Sequence, residues 1–186
     1  MRRDPPPPDW RQDLDKGLGV IGSQAESLSR LMAAYARLAR LPPPRLEPLA
    51  VTDWVHRVAA LETRQAVNVS PGADVTIQAD CGQLDQLLIN LVRNAVDATP
   101  EDGGHVEVGW ALKDGRLDVW VRDEGPGLAD DANLFVPFYT TKPDGSGIGL
   151  VLSRQIAEAH GGTLTLSNRS EGRGCEARLC LPVPDR

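Results

Sequence analysis

The sequence predicts an α+β domain preceded by one long helix, and three patterns support this prediction. Apolar residues recur every three or four positions through residues 10–41. Short segments of alternating apolar and polar residues follow, two of them joined by Asp114-Gly115, a typical hairpin turn. Further amphipathic helices are predicted before, between and after these strands. Strands grouped with helices in this mixed order favour a sheet covered by helices.

The long helix is predicted from a single apolar stripe. Its members are Leu14, Leu18, Ile21, Ala25, Leu28, Leu31, Met32, Tyr35, Leu38 and Leu41. A lone helix cannot bury such a stripe, so we expect it to pair with another copy or with another segment. Pro42 ends the helix because proline lacks a backbone donor, and prolines 5–8 predict a stiff polyproline segment before it.

From residue 46 onward the pattern changes to short elements. Strands are predicted at 48–51, 67–69, 75–79, 106–112, 116–122, 163–167 and 176–181. Helices are predicted after a cap at Thr52 or Asp53, after an Asp80 cap with Gln83 in the capping-box position, and from 148 to 159. The glycine- and proline-rich segment 123–147 is too long for an idle connection, so we expect it to be functional.

Composition excludes several classes of protein. A net charge of −6 argues against a nucleic-acid surface, and no cluster of Lys and Arg predicts membrane contact. The three cysteines have neither disulfide nor zinc-site spacing, which fits a reducing, cytoplasmic location. No apolar run approaches the ~20 residues of a membrane span. The chain is nevertheless compatible with being the cytoplasmic part of a membrane-bound protein.

The first chemical motif lies on the helix that follows Asp80. Asn90 and Asn94 are four positions apart and therefore point to the same side, away from the apolar face. Their carbonyl oxygens suit Mg²⁺, which takes few protein ligands and keeps waters and phosphates for the rest. Taken without the other motifs, this pair is more simply interpreted as part of the polar face of an amphipathic helix.

Three further motifs lie in or beside the segment 123–147. Asp123-Glu124-Gly125-Pro126-Gly127 follows a strand, where a carboxylate can accept from an exocyclic amine and glycines let backbone approach a flat ring. The aromatic residues within 135–142 predict a lid hinge that docks on the domain. Gly145-Ser146-Gly147-Ile148-Gly149-Leu150 runs into a helix and can cradle phosphate, although it matches neither a Walker loop nor a dinucleotide fingerprint.

Together these four motifs resemble the N, G1, F and G2 boxes of the histidine kinase family, within the superfamily of gyrase, heat-shock chaperone and mismatch-repair ATPases. Pro137-Phe138-Tyr139-Thr140-Thr141-Lys142 is similar to the nitrogen-regulation type of sensor kinase. The resemblance implies the Bergerat fold, a two-layer α+β sandwich whose mixed, mostly antiparallel sheet packs on helices. The long helix then resembles the second helix of a dimerisation stem, with residues 1–45 as stem and 46–186 as catalytic domain.

The resemblance also implies a role for each site residue. Asn94 would hold Mg²⁺, Asn90 would lie near the phosphates, and Asp123 would read the adenine amine. The remaining nucleotide-binding residues would be Asp97, Gly125, Gly127, Thr140, Thr141, Lys142, Gly145, Ser146, Gly147, Ile148, Gly149 and Leu150. The implied partners are ATP with Mg²⁺, a response-regulator receiver domain, and a second copy through the stem.

One position favours a kinase over an ATPase. ATPases of this superfamily carry a water-activating glutamate one turn before the Mg²⁺ asparagine, but here that position is Asn90, which cannot act as a general base. Two alternatives remain open: a serine kinase of the anti-sigma type, which shares the boxes but needs no stem helix, and a degenerate docking module.

No histidine matches the phosphoacceptor of the family. His56, His105 and His160 are each expected to be structural, and a charged His160 would suit the C-terminal end of a helix. We therefore expect the phosphorylated histidine on a stem helix that precedes this segment, or on a separate chain of a split kinase. This segment alone is not expected to autophosphorylate.

Overall fold

A computed structural model describes residues 10–39, 41–100, 104–129, 133–142 and 145–183. The chain divides into two compact units, residues 1–40 and residues 41–186. The predicted polyproline segment 5–8 lies outside the described residues. No helix in the described part of the chain is long and apolar enough to cross a membrane.

The first unit contains α1 (Trp10–Ala39), a single continuous helix as the apolar stripe predicts. Where its side chains are described, the stripe is exposed: Leu14 is 50% and Ile21 is 65% accessible. The side chains of Leu28, Leu31, Tyr35 and Leu38 lie outside the described part. The helix ends shortly before Pro42, in agreement with the loss of a backbone donor there.

The second unit is built on two sheets. The larger has the order β2-β4-β5-β7-β6, in which β2 and β4 are parallel and all other neighbours antiparallel. The smaller pairs β1 with β3 in antiparallel fashion. The strands are β1 (Glu47–Ala50), β2 (Val67–Val69), β3 (Thr76–Ala79), β4 (Val106–Lys113), β5 (Arg116–Arg122), β6 (Thr163–Asn168) and β7 (Cys175–Pro182).

Three helices cover one face of this unit: α2 (Val51–Ala59), α3 (Cys81–Ala98) and α4 (Gly149–Ala159). In β5, Leu117, Val119 and Val121 are buried while the residues between them are half-buried, as alternation in a one-sided sheet requires. The central helix α3 packs against both other helices and against β4 and β5. The predicted two-layer α+β sandwich with a mixed, mostly antiparallel sheet is confirmed.

Local turn and cap chemistry explains several boundaries. Asp114 and Gly115 have φ values of 51° and 70°, the left-handed pair that a tight hairpin between twisted strands requires. The predicted cap of α2 at Thr52 or Asp53 is wrong, because the helix begins at Val51 without a side-chain cap. The backbone N–H of Val51 donates instead to the carbonyl of Val75 at 3.0 Å, so a tertiary contact replaces the local one.

Asp80 caps α3 as predicted, and its removal should cost measurable stability. Its Oδ1 accepts from the backbone N–H of Gln83 at 3.0 Å, and its Oδ2 accepts from that of Arg45 at 3.0 Å. The pKa of Asp80 lies below its ordinary value, first because of the Arg45 bond and then because of the Gln83 bond. Asp80→Ala should lower the free energy of unfolding by about 1–2 kcal/mol at neutral pH.

The pH dependence of this loss checks its cause. Because the folded pKa is depressed, the stabilisation is present above the unfolded pKa of about 4 and disappears as the pH falls through the folded pKa. The difference between wild type and Asp80→Ala in urea unfolding should therefore shrink under acidic conditions. Asp74→Ala, in an exposed turn, is the matched control and should change stability little at either pH. A difference that is independent of pH would contradict this account.

Candidate functional site

The asparagine pair on α3 contacts α4 through Asn90 and the segment 123–147 through Asn94. Asn90 is half-buried, and its Nδ2 donates to the Oγ of Ser153 on α4 at 3.0 Å. Its Oδ1 lies against Gly149, where a Cβ atom would collide with it. The first motif and the end of the fourth are therefore in direct contact.

The second asparagine, Asn94, accepts a hydrogen bond from the ammonium group of Lys142. The Nζ of Lys142 donates to Asn94 Oδ1 at 3.1 Å and to Asp97 Oδ2 at 2.7 Å. The other oxygen of Asp97 accepts from Arg64 at 2.7 Å. Partial burial alone would raise the pKa of Asp97, but the hydrogen bonds from Lys142 and Arg64 outweigh it and hold this pKa below its ordinary value. Asp97 is therefore ionised at neutral pH.

The two oxygens that bind the Lys142 ammonium also suit a divalent cation. Asn94 Oδ1 and Asp97 Oδ2 converge on a single positive charge, and both are hard oxygen donors of the kind that Mg²⁺ accepts. Two protein oxygens leave the remaining positions of an octahedral ion for water and phosphate. The residues present therefore fit Mg²⁺ with a phosphate ligand.

Asp123, which follows β5, is buried with 6% exposure and is held by backbone donors. Its Oδ1 accepts from the N–H groups of Gly125 at 2.9 Å and Cys175 at 3.1 Å. Among the described residues its Oδ2 has no hydrogen-bond partner. This oxygen does not belong to the inaccessible polar atoms of the domain, so a ligand can reach it. One carboxylate oxygen is thus fixed by the fold while the other stays available to accept from a ligand.

The loop after Asp123 is positioned from two sides. A Cβ atom at Gly125 would lie 2.5 Å from the carbonyl oxygen of Ala98, so glycine allows the loop to approach the end of α3. Asn168, at the end of β6, accepts from the N–H of Leu128 at 2.6 Å and donates to its carbonyl at 3.1 Å. Gly127 has a φ of 81° and packs against the same asparagine. The turn is therefore fixed by α3 and by β6.

The aromatic segment is only partly docked, which corrects the expectation that its aromatic residues lie on the domain. Phe135 is half-buried under the guanidinium of Arg154, 4.9 Å from its ring centroid. Phe138 and Tyr139 remain 41% and 46% exposed, together with Val136. The backbone of Phe138 has a φ of 67°, and its N–H donates to the carbonyl of Gly147 at 3.0 Å. The backbone anchors this segment, while two aromatic rings face outward.

The glycine-rich loop leads into α4 without a side-chain cap. Ile148 is the N-cap residue, and among the described residues no side chain bonds to the first turn of α4. Gly147 has a φ of 65°, and a Cβ atom there would collide with the backbone of Phe138. The hydroxyl of Thr140 accepts from the N–H of Lys142 at 3.1 Å. Uncapped backbone amides at a helix N-terminus form an anion-binding site.

Most of the predicted site residues meet around α3. Lys142, Gly125 and Gly149 each contact it directly, so one helix touches the other three motifs. Thr141 and Ser146 are exposed, and Gly145 packs against Thr140 and Lys142. Leu150 is half-buried in the first turn of α4. The motifs that lie far apart in the sequence therefore form one continuous site.

Sequence reasoning missed several residues that support this site. They are Ser153, Asn168, Gly174 and Cys175, each bonded to or packed against a predicted motif residue. Burial raises the pKa of the Cys175 thiol to about 12, with a further contribution from Asp123, so this thiol stays protonated while its backbone N–H binds Asp123. Ser153 could have been found from its place one turn after Gly149, whereas the other three carry no local signal.

The histidines make structural contacts, as predicted. The ring of His56 lies edge-on to Trp110 at 6.3 Å, and the backbone of His105 donates to Glu124. His160 hydrogen-bonds to backbone groups at the start of α3 and within α4. Its Nε2 accepts from the N–H of Asp80 at 3.0 Å, and its Nδ1 lies 2.8 Å from the carbonyl of Ile156.

Comparison with known proteins gives several likenesses. A family model described as "Histidine kinase-, DNA gyrase B-, and HSP90-like ATPase" matches residues 79–185. Sensor protein ChvG of Rhizobium meliloti is 42% identical over 181 residues, 92% of this chain and 30% of ChvG. Sensor protein FixL of Bradyrhizobium diazoefficiens is 40% identical over 122 residues, 63% of this chain and 24% of FixL.

A solved structure with the same fold gives a further likeness. The crystal structure of full-length ShkA in complex with AMPPNP matches with a TM-score of 0.72 and 29% identity, over 94% of this chain and 39% of ShkA. The chain spans about a quarter to a third of the length of the curated relatives it matches first. The likeness therefore concerns one part of these longer proteins.

Proposed function

Because the chain belongs to the family of histidine kinase-, DNA gyrase B- and HSP90-like ATPases, we propose that it is the ATP-binding catalytic part of a sensor histidine kinase. It would transfer the γ-phosphoryl group of ATP to a histidine outside this chain. The observation that carries the proposal is the contact of α3 with the three other motifs, through Gly149 at Asn90, Lys142 at Asn94 and Gly125 at Ala98. A single ligand in this site can touch all four.

The adenine end of the nucleotide is assigned to Asp123. Its unpaired Oδ2 can accept from the exocyclic amine, while Gly125 and Gly127 let the turn beside it pack against α3 and Asn168. The triphosphate is assigned to the loop Gly145–Leu150 and the uncapped N-terminus of α4. Backbone N–H groups there can donate to phosphate oxygens, and the three glycines of the loop carry no side chain that would obstruct them. Thr140, Thr141 and Lys142 border the same loop and complete the phosphate side.

Asn94 is assigned to Mg²⁺, supported by the Lys142 ammonium that its oxygen now binds. A bound Mg²⁺ neutralises charge on the phosphoryl group that is transferred. Lys142, whose ammonium bonds to Asn94 and Asp97 in this structure, would have to release both oxygens for the ion to bind them.

Asn90 supports phosphoryl transfer to an outside acceptor in preference to hydrolysis. Its amide cannot remove a proton from water, and its Nδ2 is already bonded to Ser153. A site without a water-activating carboxylate holds ATP until another nucleophile attacks in line. The named relatives are sensor proteins, which favours a kinase over an anti-sigma-type serine kinase or a docking module.

The proposal extends to the longer protein. Residues 1–45 are assigned to the second helix of a dimerisation stem, supported by the exposed apolar stripe of α1, and residues 46–186 to the catalytic domain. The segment 137–142 supports a nitrogen-regulation-like subclass. A second copy through the stem and a receiver domain downstream are the partners, and the cytoplasm, which supplies ATP and keeps the three free cysteines reduced, is the location.

Titration with AMPPNP, followed by a transfer assay, tests the proposal. The purified chain should bind AMPPNP more tightly with Mg²⁺ than without, and Asn94→Ala should remove that enhancement, a loss of about tenfold for one metal ligand. Adding a separate stem helix that carries a histidine, together with ATP, should then yield acid-labile phosphohistidine.

The matched control is Gln86→Ala, which removes an exposed amide from the same helix and should leave binding unchanged. If the folded chain binds no nucleotide when the nucleotide is at millimolar concentration, the proposal is refuted and the docking module is favoured. Phosphate found on serine in place of histidine would favour the anti-sigma-type kinase.

A further inference from the structure

The only side-chain hydrogen bond between α3 and α4 among the described residues joins Asn90 Nδ2 to Ser153 Oγ at 3.0 Å. Ser153 is 1% exposed, so its hydroxyl is one of the few buried polar groups of the domain. A buried hydroxyl costs free energy unless it is hydrogen-bonded, and here the bond goes to a residue of the site. Its role therefore extends beyond filling space in the core.

The geometry around Asn90 restricts its amide on both sides. Ser153 lies one turn after Gly149, so both residues occupy the same face of α4. Asn90 places Nδ2 on the Ser153 hydroxyl and Oδ1 against Gly149, at the end of the glycine-rich loop. With Nδ2 engaged on α4, the oxygen is the atom left at the phosphate side of the site.

We propose that Ser153 is a positioning residue, which acts through Asn90 to set how tightly the site holds a magnesium-bound nucleoside triphosphate. The inference rests on the proposed function. Without the hydroxyl, the Asn90 amide can rotate and bond to water, so its oxygen is no longer held in one orientation towards the Mg²⁺ ion that would accompany the phosphates. The adenine contacts at Asp123 belong to other elements and are not expected to change.

A double-mutant cycle tests the proposal on the full chain. Ser153→Ala should weaken binding of Mg²⁺-AMPPNP about tenfold, the effect of losing one buried hydrogen bond that orients a ligand-binding group. Binding of AMP, which lacks the outer phosphates, should change less than about twofold. In an Asn90→Ala background, Ser153→Ala should add no further loss, because the residue through which it acts is gone.

A volume control separates this role from core packing. Ser153→Cys fills at least the space of the serine side chain but replaces the hydroxyl with a weak acceptor, so it should lose affinity as Ser153→Ala does. Rescue by Ser153→Cys, losses that multiply with Asn90→Ala, or an equal loss of AMP binding would each overturn the positioning role. Wild-type chain that binds no nucleotide would refute the proposed function itself, whereas normal binding by Ser153→Ala would refute only this inference.

Discussion

Asp123→Asn is expected to weaken binding of AMPPNP by about 100-fold, the largest loss of affinity from a single substitution in this site. Asparagine has the shape of aspartate, and its Oδ1 can still accept from the N–H groups of Gly125 and Cys175, so the fold should survive. Its Nδ2 replaces the available carboxylate oxygen. A donor would then face the adenine amine, which is itself a donor.

Isothermal titration of wild type and variant measures this loss directly. Asp118→Asn is the matched control, since Asp118 lies on β5 and its nearest cation is Arg178 at 3.4 Å, away from the four motifs. It should bind nucleotide normally. Unfolding curves of Asp123→Asn that coincide with wild type would establish that only binding has changed, and unaltered affinity would refute the assignment of Asp123 to adenine.

Gly174→Ala is expected to lower the free energy of unfolding by about 3 kcal/mol or more, the largest stability effect among the substitutions considered. Gly174 has a φ of 104°, and a Cβ atom there would collide with the backbone oxygen of Asp123. Backbone cannot move aside as a flexible side chain can. The neighbouring Cys175 accepts from the backbone N–H of Asp123 and donates its own N–H to the Asp123 carboxylate, so any displacement reaches the adenine site as well.

Gly172→Ala shows how much of the loss in Gly174→Ala comes from the positive φ alone and how much from the collision with Asp123. Gly172 has a φ of 85° but has open space where a Cβ atom would lie, so alanine there should cost only about 1 kcal/mol. Thermal unfolding should show a drop of about 10 °C for Gly174→Ala and a much smaller one for Gly172→Ala. Equal losses at the two positions would mean that contact with Asp123 is unimportant.

Elements that depend on neighbouring residues could be predicted from the sequence. The hairpin at Asp114-Gly115 follows from two residues that tolerate positive φ. The start of α3 follows from an aspartate three residues before the backbone donor that it binds, and its length follows from apolar periodicity. The asparagine pair needed only the helical repeat to be placed on one face.

Other features were not predictable because their partners are distant in sequence. The cap of α2 failed as a prediction because Val75, a backbone group on another segment, satisfies Val51. Asn168 binds Leu128 across 40 residues, and Cys175 binds Asp123 across 52. Neither residue type indicates such a role by itself, since asparagine and cysteine are compatible with many environments.

By itself the sequence determined the α+β class, most element boundaries, the four motifs and the replacement of a carboxylate by Asn90. Tertiary structure alone decided that β2 lies parallel to β4 and that Ser153 accepts from Asn90, 63 positions earlier in the sequence. It also decided that the Lys142 ammonium donates to the side-chain oxygen of Asn94. The physical reason is the range of the forces involved. Propensity, capping and periodicity act within a few residues, whereas strand order and the partners of buried polar groups depend on how the whole chain packs.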